Sequence, residues 1–361
     1  MTRFVNTVPL IDLRSDTVTK PTQTMLDRMV QAELGDDGRG DDPTVKQLEA
    51  LAADRLGKEA GLFLPSGTMS NQVAILSHAG RGGEAIGEAD SHIFRSEMGG
   101  VSLLAGLFPR PLPGTRGAID LASLEATLRP PEMAANRLGT ALVCMETTHN
   151  AAGGAVLPLD HMRRVYGMCA QKGVPVHLDG ARLFNAAVAL GVSAREIAAY
   201  ADSATFCVSK GLSAPVGSVL TGSAAFIACA RGYRRMLGGN MRQAGLLAAC
   251  GIVALEQLVD RLAEDHVNAR RLAQGLHAVD DRLVDPAAVE TNIVMTDMRA
   301  TGSPVQSWLD ALAKYKIAAA PAQSGIIRFV THRHIDGADI DRVVAAFREL
   351  YATQPRRPFT A

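Results

Sequence analysis

The chain has 361 residues, 47% of them apolar and 20% charged, which is ample for a buried core, suggests about two domains on a ~150-residue prior, and excludes intrinsic disorder. Lysine plus arginine and aspartate plus glutamate both total 37, so no basic excess argues for nucleic acid and no acidic tail for a charged partner.

Residues 1–20 read as an extended arm, and Pro21 opens a predicted helix with Met25, Met29 and Val30 on one face. The glycine-rich loop G-D-D-G-R-G-D-D-P (35–43) follows. Asp42 has the character of an N-cap with Pro43 at the first helical position, and Val45, Leu48, Leu51 and Leu56 continue at helical spacing. A short apolar run, 61–65, breaks into Ser66-Gly67-Thr68 and a helix reaching His78. Unpaired N–H groups at a helix start, with a glycine that lets the backbone come close, make that turn a candidate phosphate site. Three-residue glycine turns that only start helices are commoner, so the turn is weak evidence alone.

Residues 85–87 read as another strand, followed by His92, a candidate to lie on an aromatic cofactor or to move protons. Glu97 and Gly99-Gly100 are candidates for the same pocket. A buried strand, 141–145, ends in E-T-T-H-N (146–150). Glu146 and His149 suggest a metal pair, but no third ligand at a familiar spacing follows, so no metal is expected.

Val174, Val176 and Leu178 lead into Asp179, Gly180 and Arg182, and a second apolar run, 204–208, leads into Ser209-Lys210-Gly211. Two parallel strands ending this way hold a carboxylate and an amine over one crevice, where open sheets bind ligands. Pyridoxal 5'-phosphate uses such a pair: a lysine for its Schiff base and an acid against its pyridine nitrogen. The plain alternative is two charges that merely end strands on the surface.

Beyond residue 222 come R-G-Y-R-R-M-L-G-G-N-M-R-Q-A-G (231–245), a helical region with Leu255, Leu258, Leu262, Leu272 and Leu276, and then strands near 293–295, 317–320 and 326–330 among further helices. This is a compact α+β module, closed by a Pro/Arg tail at 354–359. The expected division is an arm at 1–20, a large cofactor-binding domain at 21–255 and a small C-terminal domain at 256–361. Five cysteines without a C-x-x-C pair read as small buried apolar residues in a reducing compartment. The longest apolar run, 244–255, is too short to span a bilayer, and the amino terminus lacks the apolar core of a signal peptide. A cytoplasmic protein with no membrane partner is the expectation.

Seven stretches, taken together and in order, are specific: D-L-R-S-D-T-V-T-K-P (12–21), L-P-S-G-T-M-S-N-Q (64–72), E-T-T-H-N, H-L-D-G-A-R-L-F-N-A (177–186), V-S-K-G-L-S-A-P-V-G-S (208–218), M-L-G-G-N-M-R-Q-A-G (236–245) and I-R-F-V-T-H (327–332). Through them nearly the whole chain resembles the threonine aldolases, pyridoxal-phosphate enzymes with the aspartate aminotransferase-like fold type I. The resemblance implies an α/β protein whose large domain has a mainly parallel sheet, plus a small α+β C-terminal domain. It implies that Lys210 bonds the cofactor, Asp179 pairs with its pyridine nitrogen, Ser66, Gly67 and Thr68 hold its phosphate with Arg242, and His92 stacks on its ring. Arg182, Ser15 and Arg328 fall to the cofactor's phenolic oxygen and the substrate carboxylate. The implied reaction is retro-aldol cleavage of threonine or allo-threonine to glycine and acetaldehyde, in a homodimer or homotetramer. A related pyridoxal-phosphate lyase or transaminase, and a degenerate binding paralogue, remain open readings. The chain departs from the family at Gly38-Arg39, where a Val-Tyr pair is usual, and at Asn136, where many relatives carry histidine. The loss of an aromatic and a titratable group, with the gain of a guanidinium, is expected to make the pocket more cationic and less able to move protons at Asn136, unless Arg39 simply points to solvent.

Overall fold

The computed structural model describes residues 9–132 and 136–353, so the tail at 354–359 and the start of the arm lie outside the described residues. The chain divides into two compact units, Thr19–Leu262 and Met1–Val18 with Ala263–Ala361.

The large unit is built on a seven-stranded sheet: β1 (Ala60–Leu64), β2 (Glu84–Glu88), β3 (Phe108–Leu112), β4 (Thr140–Glu146), β5 (Val176–Asp179), β6 (Ser203–Cys207) and β7 (Ser218–Gly222). Their spatial order is β1-β7-β6-β5-β4-β2-β3. All neighbours run parallel except β7, which is antiparallel to both β1 and β6. In β5 and β6 every residue is buried, as parallel strands covered on both faces require. β3 has no apolar alternation, because Pro109 and Pro111 interrupt it. Prolines are tolerated there because it is an edge strand, exposed at four of its five positions.

Helix α1 (Gln23–Val30) is capped by Thr22 and buries Met25, whereas Val30, its last residue, is 86% exposed and does not join the apolar face expected of it. Helix α2 (Pro43–Leu56) starts as its sequence predicts, with the Asp42 side chain accepting from the Val45 N–H and Pro43 in the first turn. Helix α3 (Gly67–His78) follows β1 directly. Further on lie α4 (Leu183–Leu190), α5 (Ala224–Met236) and the buried α6 (Gly245–Gln257). Four of the five cysteines are buried; Cys229 is exposed, contrary to expectation, because α5 buries Ile227, Ala230 and Arg234 and turns position 229 outward.

In the second unit β8 (Ile293–Asp297) and β9 (Ile326–Val330) pair antiparallel, and Ala320–Pro321 adds a third, short strand. The arm belongs here. Ile11 and Asp12 pair in parallel with Ile317 and Ala318, and the Leu13 carbonyl accepts from the Val330 N–H. Trp308, stacked on Phe347 at 4.7 Å, packs with Ile11, Leu13 and Phe329 in this unit's own core. No helix among the described residues is long and apolar enough to cross a membrane.

Candidate active site

Asp179 is the last residue of β5 and stands opposite Thr205 of β6, while Lys210 lies three residues beyond the end of β6. Both therefore sit at the carboxyl edge of neighbouring central strands. Gly180 lets the chain leave β5 close against β6, since a Cβ there would come within 2.5 Å of the Thr205 carbonyl oxygen. Asp179 is only 2% exposed, and its oxygens accept from the Ala181 N–H at 3.1 Å and from Asn71 Nδ2 at 2.8 Å. Lys210 is half-buried, and its carbonyl accepts from Thr19 Oγ1 at 2.8 Å.

The turn Ser66-Gly67-Thr68 opens α3. Ser66 Oγ accepts from the Met69 N–H, while the N–H groups of Gly67 and Thr68 have no acceptor within the helix. Gly67 lies so close to the sheet that a Cβ would meet Cys207 Sγ at 2.9 Å. The turn is thus held tightly against the end of β6, the strand that leads to Lys210.

His92 follows β2. Its backbone N–H donates to Glu146 Oε2 at 2.6 Å, and its Nδ1 lies 2.8 Å from Glu97 Oε1. A carboxylate only accepts, so Nδ1 carries the proton, and this hydrogen bond to Glu97 raises the imidazole above its ordinary value. Buried Glu97 also accepts from Asn71 Nδ2 at 2.8 Å and Gln72 Nε2 at 2.5 Å. Glu146 accepts a second backbone N–H, that of Asn150, so it braces the segments that carry His92 and His149. Burial pushes its carboxyl up. His149 Nε2 stands 2.9 Å from Glu88 but 3.9 Å from Glu146. Ligand atoms of His92, Glu97 and Asp179 do lie within 4.8 Å of one another, yet the Asn71 amide between the two carboxylates and the proton on Nδ1 account for that grouping without a cation.

Arg182, 7% exposed, precedes α4 and reaches Asn150 Oδ1 at 3.5 Å. Arg242 is exposed and pairs with Asp36 at 3.0 Å. The same Asp36 lies 3.6 Å from Arg39, whose side chain is 78% exposed at the rim of a cleft of about 490 Å³ also lined by Lys46, Arg231 and Arg234. Asn136 is exposed. Ser15 and Arg328 belong to the second unit, where Arg328 Nη2 donates to the carbonyl of Arg14, the residue next to Ser15.

A buried carboxylate, an amine one strand away, a helix start with two unmatched N–H groups and a carboxylate-held imidazole make a donor set that fits pyridoxal phosphate. The buried Asp179 carboxylate in particular calls for a cationic partner, which a protonated pyridine nitrogen would supply.

Residues 12–301 match the family model described as beta-eliminating lyase. A probable low-specificity L-threonine aldolase of Arabidopsis thaliana is 42% identical, with 96% of this chain and 98% of that protein aligned. The low specificity L-threonine aldolase of Escherichia coli K12 is 40% identical over 95% of this chain and all of its own length. This chain belongs to the beta-eliminating lyase family, among the threonine aldolases. Solved structures agree on the fold of this threonine aldolase family member. The Leishmania major threonine aldolase superimposes with a TM-score of 0.78 at 21% identity, covering 94% of this chain and 99% of that one. A putative L-allo-threonine aldolase of Listeria monocytogenes gives 0.75 at 21%, over 94% and 96%. The fold type I architecture read from the motifs is therefore correct.

Asn71 and Gln72 are the residues that sequence reasoning missed. Both stand inside the S-G-T-M-S-N-Q stretch, and the available signal was two successive amides one turn after a candidate phosphate site.

Proposed function

We propose that this chain is a pyridoxal-phosphate-dependent aldehyde-lyase that cleaves β-hydroxy-α-amino acids, taking threonine and allo-threonine to glycine and acetaldehyde. The observation that carries the reading is the placement of Asp179 and Lys210 at the ends of adjacent buried strands, in a chain 42% identical to a probable low-specificity L-threonine aldolase.

The cofactor supplies the electron sink into which the Cα–Cβ bonding pair flows. Lys210 offers the amine that attaches it, and Asp179 holds a proton on its pyridine nitrogen. A buried carboxylate at that position would favour the group's role as electron sink. Gly67 and Thr68 N–H groups, with the Ser66 and Thr68 hydroxyls and Arg242, take the phosphate. His92 presents its imidazole to the ring and accepts the β-hydroxyl proton at Nε2, because Nδ1 is committed to Glu97. Arg182 receives the substrate carboxylate, for which a guanidinium offers a two-pronged match. A homodimer or homotetramer in the cytoplasm is the expected working form.

Borohydride reduction of the loaded protein followed by peptide mapping should place the label on Lys210. Lys210→Ala should lose covalent attachment and nearly all release of acetaldehyde from threonine. Label on another lysine would overturn the site. Label on Lys210 with no glycine formed from threonine would leave the site standing and point to a different β-substituted substrate.

A further inference from the structure

A line of hydrogen bonds enters the site from the far end of α3. His78 Nε2 and Ser203 Oγ are 2.6 Å apart, Ser203 Oγ and His177 Nδ1 2.8 Å, and His177 Nε2 and Asn71 Oδ1 3.1 Å. Asn71 Nδ2 then reaches Asp179 Oδ2 and Glu97 Oε1, each at 2.8 Å. The inner end fixes the direction. Ionised carboxylates only accept, so Asn71 turns its NH₂ toward them and its oxygen away. That oxygen needs a donor, which puts the proton of His177 on Nε2 and leaves Nδ1 to accept from Ser203. Ser203 in turn accepts from His78, and every donor points inward.

The buried environment suits this arrangement. Asn71 is 2% exposed and His177 fully buried. Burial pushes the His177 imidazole down to about 3 and that of His78 to about 4, so both stay neutral and keep single tautomers near neutral pH. On β4, Cys144 faces both carboxylates and Glu146 faces Asp179, and burial holds each toward its protonated form. An amide does not readily relay a proton, so the line orients charge rather than conducting it.

We propose that Asn71 is a positioning residue that holds the Asp179 and Glu97 carboxylates side by side through one donor to each, and so couples the acid assigned to the cofactor's pyridine nitrogen to the carboxylate that holds His92. Two adjacent buried carboxylates repel, and each gains one donor from a single neutral side chain. Leucine fills a similar space without donors, and aspartate would add a third acceptor. The inference rests on the assignment of Asp179 made above.

The test is the dissociation constant of pyridoxal phosphate from the full-length Asn71→Leu protein, measured by absorbance titration at about pH 6 and about pH 8.5. Without the shared donor nothing offsets the repulsion between the two carboxylates, so binding should weaken by about tenfold or more at the lower pH and by much less at the higher. The acid limb of kcat/KM should move up by about one unit. Ser203→Ala, which interrupts the line away from the cofactor, should shift both in the same direction by less, and it decides the matter if Asn71→Leu does not fold. Equal loss at both pH values, or no loss at either, overturns the role of Asn71. Asp179→Asn separates the two readings. Undiminished cofactor affinity in that variant overturns the assignment of Asp179 itself, whereas weak binding there beside an unshifted Asn71→Leu profile overturns only the positioning role.

Discussion

His92 has one nitrogen engaged and one for chemistry. With Nδ1 donating to Glu97, the imidazole has a fixed tautomer and orientation, the condition under which general-base assistance contributes roughly 10²- to 10⁴-fold. His92→Phe keeps a flat ring and removes the titrating nitrogen, so kcat for threonine should fall by about that factor while pyridoxal phosphate stays bound. Steady-state kinetics beside the visible band of the loaded protein checks this, and full activity would strip His92 of the proton-transfer role. The positions of Lys210, Asp179 and His92 at or after strand ends were legible in the sequence because each follows an apolar run that ends at a sheet edge. Glu97 was legible only as a pocket neighbour, and Asn71 not at all, since nothing in a helical asparagine tells which partners its amide meets in the folded chain.

At the scale of the element, α2 was readable from Asp42-Pro43 and the leucine spacing, but the sequence hid how much rests on Asp42. Its Oδ1 accepts from Val45 N–H at 3.0 Å, and its Oδ2 from Gly245 N–H at 2.9 Å and Gly35 N–H at 3.2 Å. One carboxylate thus caps α2, holds the start of α6 and closes the glycine loop that leads into α2. Gly245 must be glycine, since a Cβ there would come within 2.5 Å of Asp42 Oδ1. Removing a cap costs about 0.5–2 kcal/mol, and each buried donor left unmatched about 1–3 kcal/mol. Asp42→Ala should therefore destabilise the large unit by about 2–4 kcal/mol, read as a lower urea midpoint, and Asp42→Asn, which keeps one acceptor, by less. An unchanged midpoint would show that water replaces the carboxylate at no cost. Strands β3 and β7 stayed hidden for different reasons: prolines mask the first, and no local pattern records that β7 runs against both its neighbours.

For the molecule as a whole, the extended arm was legible but its partner was not. Ile11 and Leu13 are buried against residues near the other end of the chain, with register Ile11 to Ile317 and a hydrogen bond from Val330 to Leu13. Pairing across that separation leaves no local trace. Deleting residues 1–14 should unseat the second unit selectively. Hydrogen exchange should show protection lost across β8 and β9 and retained in β4 to β6, whereas uniform protection would mean that the arm contributes nothing to that core.

That discontinuity has a consequence for synthesis. A chain leaving the ribosome has made every residue of Thr19–Leu262 before it makes Ile317 or Phe329. At roughly 5–20 residues per second, the apolar side chains of Ile11 and Leu13 wait tens of seconds for their partners. Nascent chains therefore carry an uncovered apolar segment at Ile11 and Leu13 while the large unit is made, and a chain stalled before Ile317 leaves that segment bare, a target for chaperones and proteases.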